Sequence, residues 1–254
     1  MIREFLKSPS GLAGTIILVT FSLISVFVVM TFPMDYGTKY WSNPKYWEDY
    51  PKLVPPVWYN YFVPYKLPQH FVKDLTSPSE MVDNVKKWVV EYKFEADKFP
   101  TGIIFKYINL TFYGDVPVIS LKVKRPDGKE VVLLDYDGGI PPPRSGEKAP
   151  YVRFVENPRT IILISDPQAV RKVTVFAEEL GVNCTTADVR DAGLLPYIVF
   201  GTPISSKCVA ESFKPLKGSY VFEVEMVGDP KDEIGLLRLV VQGAVYGAMG
   251  TDYF

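Results

Sequence analysis

Residues 11–32 read GLAGTIILVTFSLISVFVVMTF, and this stretch decides how the rest of the chain is to be read. None of its twenty-two residues is charged. At about 1.5 Å of rise per residue a helix of that length covers roughly 33 Å, the thickness of a bilayer's hydrocarbon core. A secretory signal peptide also opens on charge and an apolar run, but its apolar part is usually about 7–15 residues and ends in small residues. Here the run ends Val28-Val29-Met30-Thr31-Phe32-Pro33, bulky where a peptidase wants alanine. A retained transmembrane helix is predicted.

The flanks orient it. Arg3 and Lys7 precede the helix closely, whereas the first cation after it is Lys39. The positive-inside tendency then predicts a cytoplasmic leader and helix over residues 1–33, in a cell membrane, with everything after about residue 34 extracytoplasmic. A second apolar run, residues 236–249, contains Arg238 and Gln242 and is too short to cross. It reads as a buried strand followed by a small-residue connector.

Residues 34–83 read as an aromatic and proline-rich connector. Trp41, Trp47 and Trp58 fall here with Tyr36, Tyr40, Tyr46, Tyr50, Tyr59, Tyr61 and Tyr65, and prolines 44, 51, 55, 56, 64 and 68 interrupt any long helix. Two readings are open: these rings pack on the domain that follows, or they lie at a membrane surface or against a partner.

From residue 84 the pattern becomes that of strands. Lys86–Phe94, Ile103–Tyr113, Val116–Val123, Glu130–Asp135, Val152–Val155, Thr160–Ile164, Tyr220–Val227 and Leu236–Val241 are rich in Val, Ile, Tyr and Phe. Arg125-Pro126-Asp127-Gly128 marks a hairpin between two of them. One helix interrupts the series, capped by Ser165 or Asp166, with Pro167 in its first turn and Gly181 at its end. The predicted fold is one N-terminal transmembrane helix plus a mainly β extracytoplasmic domain over residues 84–243. By analogy, from Lys217-Gly218-Ser219-Tyr220 entering an alternating strand, that domain is an immunoglobulin-like sandwich with one inserted helix.

Composition narrows function. The 254 residues carry 28 Lys plus Arg against 29 Asp plus Glu, without the basic excess of a nucleic-acid-binding domain, so no nucleic acid is expected as a partner. One histidine, His70, and two cysteines, Cys184 and Cys208, exclude multi-His and Cys-rich zinc centres. There is no phosphate-binding loop and no dinucleotide fingerprint, so no cofactor is expected, and any ATP is bound by another chain. Asp135 and Asp137 before Gly138-Gly139 lack the spacing of a calcium loop and read as a solvated turn. Asp188, Arg190 and Asp191 read as a charged surface loop, and His70 stands beside no nucleophile motif. No enzyme is indicated. Outside the cell, Cys184 and Cys208 favour a disulfide over two buried thiols, and Asn109 and Asn183 fit the glycan acceptor triplet.

The two ends of the chain resemble one family. Phe5-Leu6-Lys7-Ser8 followed by Gly11, Gly14 and Ile17-Leu18 is similar to the lead into the first membrane helix of the C-type permease subunit of dipeptide/oligopeptide ABC transporters. Residues 244–254, with Gly250, Thr251 and Asp252, resemble the start of that family's G-T-D-x-x-G-R-D segment before its second helix. The roughly 200 residues between depart from the family's short loop and read as an inserted domain. The resemblance implies the N-terminal part of a permease working with a second permease subunit, two ATPase subunits, a substrate-binding protein and membrane lipid. A lone helix cannot enclose a path through lipid. The alternative is a single-pass surface module whose β domain binds a ligand or neighbouring subunit.

Overall fold

The computed structural model describes residues 8–251. It divides into two compact units, one ending at Glu48 and one beginning at Asp49.

The first unit is built on helix α1, Pro9–Thr31. Ser8 caps it by accepting from the Gly11 N–H at 3.1 Å, Pro9 occupies its first turn, and Phe32 ends it ahead of Pro33. Of its residues only Gly11 is buried, so apolar side chains face outward all round. Thr15 and Thr20 turn their hydroxyls back onto the Gly11 and Ile16 carbonyls, which satisfies both inside the helix. The helix is long and apolar enough to span a membrane. Beyond it a π-helical turn, Gly37–Trp41, and the short helix α2, Pro44–Trp47, carry a run of touching rings. Phe32, Tyr36, Tyr40 and Tyr46 follow one another at centroid distances of 4.8, 5.4 and 5.1 Å.

The second unit is mainly β, and the strands of its sheets pair antiparallel. One five-stranded sheet contains β1 (Phe71–Leu75), β4 (Gly102–Phe112), β7 (Tyr151–Arg153), β8 (Arg159–Ile162) and β12 (Glu233–Gln242), in the order β1-β12-β4-β7 with β8 also on β4. The other contains β2 (Glu80–Val82), β3 (Val85–Phe94), β5 (Val118–Lys124), β6 (Glu130–Leu134) and β11 (Gly218–Val227), in the order β2-β3-β11-β5-β6. A small ribbon pairs β9 (Gly201–Pro203) with β10 (Phe213–Pro215).

The second sheet alternates cleanly. Trp88, Val90, Tyr92 and Phe94 of β3, with Tyr220, Phe222, Val224 and Met226 of β11, point into the core. Lys87, Lys122 and Lys124 on the opposite face surround Glu223, at 3.2, 3.9 and 2.7 Å. In β4 the inward set changes from Ile103, Phe105 and Tyr107 to Leu110 and Phe112. Asn109, at φ 56°, lies at this change, the β4–β12 register being the same on either side of it, and its N–H donates to Phe154 O at 3.0 Å. Both sheets share one hydrophobic core with helix α3, Pro167–Glu179. Asp166, rather than Ser165, caps α3 through the Gln168 and Ala169 N–H groups.

Two features lie outside the expectation. The segment around Asp188, Arg190 and Asp191 is a helix, α4 (Thr186–Asp191), because Thr185 and Asp188 form a reciprocal capping box. A further helix, α5 (Leu195–Phe200), follows, so the strands are interrupted by three helices rather than one. The β domain also begins well before residue 84. β1 is an edge strand whose three middle residues are exposed, so it shows no apolar alternation, and its pairing with β12 defines it.

Candidate functional site

The incoming and outgoing segments of the β domain meet. Thr251 N–H donates to Val54 O at 2.8 Å, Tyr246 N–H to Pro55 O at 3.0 Å and Val57 N–H to Gly247 O at 2.9 Å. The buried Thr251 hydroxyl donates to Pro51 O at 2.6 Å and accepts from Val54 N–H at 3.3 Å. Gly250 has φ 75°, and a Cβ there would stand 2.5 Å from Val54 O and 2.9 Å from Pro56 N. Only glycine fits this approach. Two of the three motif residues are thus held against the proline-rich segment. Asp252 lies outside the described residues, as do Arg3, Lys7 and the Phe5-Leu6 leader.

The same segment is strapped across the outer face of the first sheet. Asp49 pairs with Lys106 at 2.5 Å and with Arg238 at 2.9 Å, and Arg238 grips Asp74 at 2.6 and 2.7 Å. The Lys106 side chain is 8% exposed, so Asp49 offsets a buried charge. The Arg238 fork holds the Asp74 carboxyl below its usual range. Gln242 Nε2 donates to Tyr50 O at 3.3 Å beside this pair. His70 packs against Tyr50 and Tyr246, with centroids 6.3 and 5.4 Å away. Neither of its ring nitrogens has a hydrogen-bond partner. Burial pushes its pKa down to about 4 against the raising effect of Asp49, so the ring is neutral. It fills an aromatic niche.

The remaining sequence candidates are dispersed. Cys184 and Cys208 are joined by a disulfide, with Cα atoms 5.1 Å apart. Asn109, at the positive-φ position of β4, and Asn183, beside Cys184, are both exposed. Asp137 is not in a solvated turn. It is buried, and burial alone would raise its pKa. Arg159 in a two-point grip, Tyr107 Oη at 2.6 Å and the Gly139 N–H hold it below the carboxylate range instead. Asp135, its neighbour, pairs with Lys172. Among the described residues no group of three or more His, Cys, Asp or Glu is placed to hold a metal ion.

Sequence reasoning missed Asp49, Lys106 and Arg238. A signal was present in the single cations inside Ile104-Phe105-Lys106-Tyr107 and Leu236-Leu237-Arg238-Leu239, since a lone cation in an apolar strand demands a partner. No known protein-family model and no curated protein matches this chain.

Proposed function

We propose that the chain is the N-terminal part of a permease subunit in an ATP-driven peptide importer. In this reading α1 crosses the cell membrane with its N-terminus cytoplasmic, and the β domain, an immunoglobulin-like sandwich, stands outside. There it docks the substrate-binding protein or covers the mouth of the pathway. A second permease subunit and two ATPase subunits complete the assembly. This chain performs no catalysis itself, since ATP hydrolysis belongs to those partners.

The Val54–Thr251 junction carries the reading. A domain inserted into a loop between two membrane segments must return its chain to the point of departure, and adjacent ends are what make insertion tolerable. A module hung from a single helix has no such requirement. The packing of Gly250 and Thr251 on Val54-Pro55-Pro56 adds support, because it makes those two residues the closure of the insertion. The two five-stranded antiparallel sheets around one core support the sandwich.

The test excises residues 57–247 from the transporter in its native operon context and rejoins the flanks through a short glycine linker. The expected outcome is continued co-purification with the second permease and the ATPase subunits, with loss of peptide uptake or of binding-protein affinity. Unchanged uptake and affinity remove the docking role. A native chain that purifies without ATPase subunits returns the single-pass module.

A further inference from the structure

Residues 53–65 read LVPPVWYNYFVPY, thirteen residues without a charge between Lys52 and Lys66. Several of its rings stay out of the core. Trp58 is 51% exposed, Phe62 77% and Tyr61 86%, while Met249, on the outgoing segment, is 93% exposed. The loop is nevertheless fixed. Val57–Tyr61 forms a 3-10 turn, and Trp58 Nε1–H donates to Ala248 O at 2.9 Å, which brings the indole beside Met249's segment. Trp58 and Phe62 meet edge to face at 5.9 Å. Asn60 closes the loop by accepting from Leu67 N–H at 2.8 Å and donating to Leu67 O at 3.2 Å.

We propose that Trp58, Tyr61, Phe62 and Met249 form a membrane-contact surface that enters the headgroup region of a phospholipid bilayer. This rests on reading α1 as a membrane span. Rigidly displayed apolar rings are unfavourable in water, so the surface calls for a cover. Indole and phenol rings, apolar in body and polar at one edge, settle at the headgroup level. The absence of charge across all thirteen residues suits that zone. The carboxylates beside Lys66, Glu95 and Asp97, are paired with Lys66, Lys93 and Lys217, and the loop itself has no anion to repel lipid phosphate. Leu53 follows Thr31 by only twenty-two residues, so an anchored α1 keeps bilayer within tethered reach of the loop at high effective concentration.

The experiment uses the full chain in phosphatidylcholine vesicles containing lipid brominated near the top of its acyl chains, with tryptophan emission as the readout. Trp88 is buried in the core and escapes contact quenching. Trp58→Phe is expected to lose a measurable share of the quenched emission. Tyr61→Ser with Phe62→Ser, at two exposed positions without core contacts, is expected to reduce the quenching of the retained Trp58 and shift its emission to the red. Unchanged quenching in both variants, in vesicles that hold the chain through an alkaline carbonate wash, overturns the contact surface while the anchor stands. A chain that washes out overturns the anchor and the contact surface with it.

Discussion

Arg125 shows how much one side chain can hold in place. It lies in the β5–β6 turn, fully buried, yet its guanidinium donates to Ile198 O at 2.7 Å, Val199 O at 2.9 Å and Gly201 O at 2.9 Å. The Ile198 and Val199 carbonyls lie in the last turn of α5, where a cation is favoured, and Gly201 opens β9. Asp127 neutralises it at 2.8 Å and the Phe176 ring lies 5.2 Å below it. Arg125→Ala strands three acceptors and a carboxylate and is expected to destabilise the β domain by about 3 kcal/mol, read by urea unfolding in detergent. Arg125→Lys keeps the charge without the fork, so it should recover only part of that loss. His70 acts on stability with a definite sign. Its folded pKa of about 4 lies below the ordinary 6.5. The unfolded chain therefore takes up the proton first as pH falls, and stability that is complete above about 6.5 drains away towards 4. The urea midpoint of the native protein should drop more between about pH 7 and about pH 5 than that of His70→Phe, which fills the same niche without titrating. Parallel pH profiles would remove His70 from the account.

At the scale of elements, the Asp49 strap crosses the sheet of which β1 is the edge strand. Asp49→Asn leaves Lys106 charged and buried, and a loss of about 3 kcal/mol is expected. Adding Lys106→Met removes the buried cation as well, so the double variant should be more stable than Asp49→Asn alone. A double variant no better than the single one would show that the strap contributes nothing through charge. The disulfide is the other clasp at this scale. It closes a loop spanning α4, α5 and β9, worth about 3.5 kcal/mol on loop-entropy grounds. Long strands were legible because their alternation is local: β3, β4, β5, β11 and β12 all coincide with sequence-read segments to within a few residues. β1, β2, β9 and β10 were not, since they are three to five residues long and owe their shape to a neighbour across the sheet. Tyr50 lies against the β domain with His70 and Tyr246, whereas Tyr61 and Phe62 remain uncovered.

For the whole molecule, the division at Glu48 and Asp49 matters most. The β domain contains its own core, its own clasp and both partners of each strap ion pair. A protease site inserted between Ser42 and Asn43 is therefore expected to release a β domain whose near-ultraviolet spectrum and urea midpoint match those of the intact chain. A collapse of that spectrum on cleavage would mean that the upstream unit supports the core. The apolar helix was legible from composition alone, because twenty-two uncharged residues leave few alternatives. The closure at Thr251 was not, because hydrogen bonds between residues 197 positions apart leave no local trace.

That closure also sets how the lobe answers a pull. Tension applied between the chain upstream of Asp49 and Thr251 falls first on the Asp49 ion pairs and on a handful of backbone bonds at the stem. The stem should unzip under small loads while both sheets stay whole. The sheets then keep their pairing after the two chain ends have parted.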